Sequence, residues 1–352
     1  MTSKIGDEEL AGPSTRCWLA DSASAVGTAH AERGDGCDDA AECIRLDDGA
    51  IAFALADGAS SATNGGRGAR IAVQSALAWL NESGAIPLSG LTEEVEAFFK
   101  SLVAHVRETL GAEAQQREQP LHDFMCTLMV CAMDVRRAIG MNLGDGFAAI
   151  AVIDAATVLG DQTEDNSLEA AIVVNERLWL GQSKGEFANQ AWMVTSEGAL
   201  DHIVIGTADR PFVVVASTDG LERAALDISR GTIHRPFFEP LLRWPSLLTD
   251  AQAPDALATL LATPSIVASS RDDLTIVLCG RADQSDLFAK PISFRVAVQG
   301  ESGIGGRKHE SREANCDMAD APTSAPTGAG CLSASEPSHG NTVSRANLSA
   351  PG

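Results

Sequence analysis

Three apolar runs in this 352-residue chain end in an acid followed by glycine: IAFALADG (51–58), GMNLGDG (140–146) and VVVASTDG (213–220). A fourth acid, Asp272, stands at the head of another run, SRDDLTIVLCG, and a fifth, Asp39, opens the segment DAAECIRL. A single Asp-Gly pair is usually a turn. Five acids set at the edges of strand-like runs suggest another use. A side chain leaving the end of a rigid strand is well placed, and glycine lets the backbone turn sharply behind it. Carboxylate oxygens are the ligands of hard cations such as Mg²⁺ and Mn²⁺, which paired sites hold about 3.5–4 Å apart.

The first hairpin separates a structural acid from a chemical one. ECIRL and AIAFAL flank Asp47, Asp48 and Gly49. A three-residue loop with Gly49 left-handed opposes Leu46 to Ala50 and carries Asp39 across from Asp57, on the face of Ile51, Phe53 and Leu55. A two-residue turn would instead oppose Asp39 to Gly58 and leave it among alanines. In the first register Asp48 is the turn and Asp57 stands at the open end. Two bare carboxylates so placed repel unless cations lie between them.

The elements that must position these acids are short. Strands are expected at AECIRL, AIAFALA, TLMVCAMD, AIGMNLG, AAIAVI, AWMVTS, PFVVVAST and LTIVLCG. Several adjoin through tight turns, which favours antiparallel pairing. Many are apolar on both faces, as in sheets packed between a second sheet and helices. Helical spacing runs from Ala69 to Leu80 with Gly84 as the stop, and from Val95 through Phe98, Phe99, Leu102, Val103 and Val106 to Leu110 with Thr92 as its cap. Pro254 opens a third helix. Residues 1–14 read as a flexible start, 15–280 as the folded domain, and 281–352, rich in Ser, Ala, Pro and Gly, as a largely disordered tail in which 292–300 could add one strand.

Composition narrows the function. The net charge of −22 lies almost wholly before residue 281. It argues against nucleic acid or an anionic membrane as partner, since phosphate binding needs clustered Lys and Arg. No apolar stretch reaches the ~18–20 residues of a membrane span, and the acidic N-terminus lacks a signal-peptide pattern, so a cytoplasmic location is expected. The cysteines, with no C-x-x-C pair, read as buried packing.

The motifs DDA (38–40), ALADGASSATNGGRGARIAV, CTLMV, NLGDG, ASTDGL and SRDDLTIVL, in this order, resemble those of the metal-dependent protein phosphatase 2C family. The likeness is closest to its bacterial branch, through Gly27–Ala40, GEFANQAWMVTS and IHRPFFEPLLRW, and spans roughly residues 15–280. It implies an α+β fold, a four-layer α-β-β-α sandwich, with two Mn²⁺ or Mg²⁺ ions between antiparallel sheets. Asp39, Asp57, the Gly58 carbonyl, Asp219 and Asp272 would be the ligands, and Asp145 with Asp219 would bind a third, weaker ion. The implied activity is hydrolysis of phosphoserine or phosphothreonine by a metal-activated water, without a covalent intermediate. Asp57 and Asp219 would serve the catalysis directly. A phosphorylated protein would be the substrate and a cognate Ser/Thr kinase the counterpart. The phosphate-binding arginine of the family's eukaryotic branch falls on Gly34, one residue from Arg33, and His30 occupies the place of the bacterial branch's histidine, which leaves Arg33 and His30 as the candidates for that contact. The alternative is a catalytically silent phosphatase-like signalling or binding module.

Overall fold

In a computed structural model, residues 18–83, 86–154, 172–183, 191–242, 253–281 and 292–296 are described, all within the unit Met1–Gln299. In chain order the elements are β1 (Trp18–Ala25), α1 (Thr28–Arg33), β2 (Ala40–Arg45), β3 (Ile51–Ala56), α2 (Gly65–Glu82), α3 (Thr92–Gln116), β4 (Leu128–Met133), β5 (Arg137–Leu143), β6 (Phe147–Asp154) and β7 (Ile172–Leu180). There follow β8 (Val204–Asp209), β9 (Pro211–Ser217), α4 (Glu222–Ala225), β10 (Leu226–Asp227), β11 (Thr232–Ile233), α5 (Arg235–Leu242), α6 (Ala253–Leu261), α7 (Pro264–Val267), β12 (Leu274–Arg281) and β13 (Ile292–Val296).

The strands form two large sheets, β2-β3-β4-β5-β8 and β1-β12-β9-β6-β7-β13, besides the small β10-β11 pair. Pairing is antiparallel throughout except for β13, which adds to β7 in parallel. That strand is the one expected as possible within 292–300. The other expectations for residues 1–14 and for 282–352 lie outside the described residues.

Alternation along β3 explains the layering. Ile51, Phe53 and Leu55 meet Met129, Ile150, Val214 and Val277 between the sheets, while Ala52, Ala54 and Ala56 face Ala69, Ala72 and Ala76 of α2. Small residues on both sides of that second contact let the helix lie close. α3 packs beside α2 through Val95, Phe99, Leu102, Val103, Val106 and Leu110. On the far side, α5 and α6 cover β6, β9 and β12 through Phe238, Leu241, Leu257 and Leu261. Three apolar layers between four structural ones make the expected α-β-β-α sandwich. Each fully buried Phe or Leu contributes roughly 1.5–3 kcal/mol relative to exposure.

The first hairpin has the three-residue loop. Ala40 pairs with Ala56 and Arg45 with Ile51, the Gly49 N–H donates to the Leu46 carbonyl at 2.9 Å, and Gly49 sits at φ 84°. Some elements differ from expectation. Residues 191–196 form turns around a single bridge rather than a strand. Thr92 is the first residue of α3, and the cap is Leu91, whose N–H donates to the Glu94 carboxylate at 2.8 Å. α2 ends at Glu82, and Gly84 is outside the described residues.

Candidate metal centre

The acids gather where the inter-sheet layer opens at one end of the sandwich. Asp57 follows β3 directly. Its N–H donates to the Thr127 hydroxyl and its carbonyl accepts the Thr127 N–H, both at 2.9 Å. Gly58 next to it donates to the Asp38 carbonyl at 3.2 Å and bridges Cys126, so the turn after β3 is held from both neighbouring segments. Asp145 lies in the three-residue link by which the chain leaves β5 in one sheet and enters β6 in the other. The buried Asn142 amide fixes that link by donating to the carbonyls of Gly146 and Gly181 at 2.8 Å, and the Gln182 amide donates to the Asp145 carbonyl at 2.7 Å. Asp219 starts a short 3₁₀ turn one residue after β9, with Thr218 between them.

Three elements distant in sequence thereby bring Asp57, Asp145 and Asp219 together, with one carboxylate oxygen from each lying within 4.8 Å of the others. Asp39 is 7% exposed, and its carboxylate accepts the Thr218 hydroxyl at 2.9 Å. Burial pushes its carboxyl up to about 7, against the opposing hydroxyls of Thr275 and Thr218 and with the charges of Asp273 and Asp272 adding to the rise. Asp219 is also pushed up to about 7, first by burial and then by Asp145, Asp272 and Asp39. Asp57 is raised well above the carboxylate range by burial, then by Asp39, Asp219, Asp145 and Asp272. A cluster of this kind holds protons that a cation would displace. With oxygen donors only and several negative charges, it suits a hard divalent ion rather than a thiolate-seeking one.

Asp272 stands apart from that three-carboxylate group. Its side chain is 53% exposed, although its charge reaches Asp39, Asp57 and Asp219. His30, on α1, is buried. Its Nδ1 lies 3.3 Å from the Gly36 carbonyl and 3.3 Å from Asp273 Oδ2, and its Nε2 lies 3.9 Å from Asp272 Oδ1. Arg33, at the end of the same helix, is exposed and paired with Asp35 at 2.6 Å. Cys37 adjoins the acids, and its thiol is pushed up to about 12 by burial, then by Asp39 and Asp273. Burial and the neighbouring carboxylates thus both disfavour its thiolate.

The sequence reading did not single out Asp38, Thr218 or Asp273. The available signal was the pair of acid doublets, Asp38-Asp39 and Asp272-Asp273, each offering two carboxylates that point different ways.

Residues 26–262 match the family model of Protein phosphatase 2C. Over 269 residues the chain is 29% identical to "Serine/threonine-protein phosphatase 3" of Escherichia coli (strain K12), an alignment covering 74% of this chain and 97% of that protein. Among solved structures, it is similar to the serine/threonine phosphatase Stp1 from Staphylococcus aureus, with TM-score 0.48 and 12% identity over 74% of this chain and 94% of that one. It is also similar to the catalytic domain of the serine threonine protein phosphatase PstP in complex with two manganese ions, with TM-score 0.44 and 14% identity over 75% of this chain and 98% of that one.

Proposed function

The chain belongs to the protein phosphatase 2C family, and from that premise we propose that it is a Mn²⁺- or Mg²⁺-dependent protein serine/threonine phosphatase. The observation that carries this reading is the convergence of Asp57, Asp145 and Asp219 within 4.8 Å, with the buried Asp39 acting electrostatically on Asp57 and Asp219. Asp39, Asp57, the Gly58 carbonyl, Asp219 and Asp272 would hold two ions, and Asp145 with Asp219 a third, weaker one. Divalent ions so bound would acidify water and offset charge on the phosphoryl group.

The chain's own residues prepare that chemistry. The Thr218 hydroxyl aims Asp39. The paired backbone bonds to Thr127 fix the direction in which Asp57 leaves β3. Asp57 and Asp219, both members of the three-carboxylate group, would give up protons on binding cations and would then act as fixed negative charges. His30 and Arg33 are the candidates for contact with the phosphoryl group. His30 is already held at Nδ1, whereas Arg33 would have to leave Asp35. The attacking group would be a water activated by the bound ions, with no covalent intermediate.

The substrate would be a phosphorylated protein, the product of a cognate Ser/Thr kinase, in the cytoplasm. The acidic chain suits neither nucleic acid nor an anionic membrane surface. Among the described residues no helix is long and apolar enough to cross a membrane. The test is a panel of phosphoserine and phosphothreonine peptides and small phosphoesters, run with Mn²⁺ and then with chelator. Metal-dependent turnover of the peptides is expected. Tight Mn²⁺ binding with no turnover would point to a silent phosphatase-like module instead.

A further inference from the structure

Asp273 is 3% exposed, and both of its carboxylate oxygens are engaged. Oδ1 accepts the Gly27 N–H and Oδ2 accepts the Asp38 N–H, each at 2.6 Å. Gly27 and Asp38 are the two ends of the segment that leaves β1, forms α1 and delivers Asp39 to β2. One side chain thus closes the whole 27–38 loop. The loop also lies directly on the backbone beside Asp273. A Cβ on Gly27 would stand 2.3 Å from the Asp272 carbonyl carbon, and the Ala29 N–H donates to the Arg271 carbonyl at 2.9 Å.

The same carboxylate governs His30. Asp273 Oδ2 and the Gly36 carbonyl, both acceptors, lie 3.3 Å from Nδ1, with Asp38 Oδ2 at 3.8 Å, a setting that suits a hydrogen on that nitrogen, while Nε2 lies 3.9 Å from Asp272 Oδ1. We propose that Asp273 is a positioning residue of the metal centre: by closing the 27–38 loop it fixes where Asp39 and the His30 ring stand relative to Asp272. This rests on the reading that Asp39 and Asp272 hold the metals. A carboxylate is needed for the role, because both oxygens accept. An amide has one acceptor and would turn its NH₂ against the second N–H.

The test compares Asp273→Asn and Asp273→Ala in the full chain with Leu257→Ala, a control in the outer apolar core, which contains none of the candidate acids. For Asp273→Asn, the Mn²⁺ concentration giving half the full thermal shift should rise at least ~10-fold, with kcat on a phosphopeptide at saturating Mn²⁺ falling by a similar factor while KM stays within about twofold. Asp273→Ala should be worse on both. Leu257→Ala should lower Tm alone. If Asp273→Asn behaves like Leu257→Ala, the residue is merely structural and the proposal falls. Hydrogen exchange on the wild-type protein needs no variant. The Gly27 and Asp38 amides should exchange as slowly as those of the β ladders and slow together when Mn²⁺ is added, and rapid exchange at either would overturn the clamp. Wild-type protein that neither binds Mn²⁺ nor turns over would remove the phosphatase reading, while the amides would still report on the clamp.

Discussion

Thr218 and Asp39, 179 residues apart, are joined by a hydroxyl-to-carboxylate hydrogen bond of 2.9 Å inside the sandwich. Thr218 follows β9 of one sheet and Asp39 precedes β2 of the other, so this bond ties the two sheets together at the site. It also stabilises the charged form of Asp39, opposing the burial that raises it.

Thr218→Val keeps the shape and removes the donor. The Asp39 carboxyl should then rise further, and the Mn²⁺ midpoint for activity should increase about tenfold, the equivalent of ~1.4 kcal/mol and in keeping with a hydrogen bond to a charged group. A Mn²⁺ titration of turnover measures it. An unchanged midpoint would mean that the bond matters only to folding.

Stability should depend on pH with a definite sign. Asp39 and Asp219, both raised to about 7 from 3.8, make the metal-free folded state bind more protons than the unfolded chain between those values. Chelated protein is therefore most stable near and below the unfolded pKa and loses stability as pH rises toward 7, by an amount on the order of a few kcal/mol. Thermal melts in chelator should fall from pH 5 to pH 8, and Mn²⁺ should raise Tm more at pH 8 than at pH 5. A chelated Tm that climbs over this range would contradict the electrostatic account.

The hairpin offers a test of backbone alone. Gly49 at φ 84° has a conformation that Val adopts only under strain, so Gly49→Val should cost about 1–2 kcal/mol in a urea denaturation. Asp48→Asn should change little, since its Oδ1 serves only to accept the Ala50 N–H at 2.9 Å and an amide oxygen can do the same.

Much of this arrangement is legible in the sequence because it obeys period-two rules. The hairpin arithmetic at Gly49 gives the observed register, and the apolar runs ending at Asp57, Asp145 and Asp219 form strands that reach one end of the sandwich. Other parts are illegible for identifiable reasons. β1 reads WLADSASA, whose alanines and serines have little strand preference, and it gains its structure by pairing with β12. β7 is interrupted by Asn175, Glu176 and Arg177, and β8 is a short edge strand containing Gly206. α1, which carries His30 and Arg33, is six residues long, too few to show a period. In AWMVTS the residue types favour a strand, but the backbone bonds are local turns and single contacts such as Val194 N–H to the Cys126 carbonyl. The doublet Asp272-Asp273 is ambiguous in sequence. Only the fold shows that Asp273 turns inward to the 27–38 loop.

The segment beyond residue 300 should be dispensable. It is rich in Ser, Ala, Pro and Gly, and every candidate site residue precedes it. A chain ending at residue 300 should keep its Tm and its turnover of a small phosphoester. A large loss of either would mean that the segment contributes to the fold.

The most direct test of the central claim is phosphopeptide turnover at saturating Mn²⁺ by wild type, Asp57→Asn and Asp48→Asn, measured side by side. Asp57→Asn preserves shape but removes a charge from the cluster, and its kcat should fall at least ~100-fold, about 2.7 kcal/mol of barrier, while Asp48→Asn stays near wild type. Equal behaviour of the two variants, or a wild-type protein inert with Mn²⁺ on every phosphopeptide, would contradict the assignment of this acid cluster as a phosphatase centre.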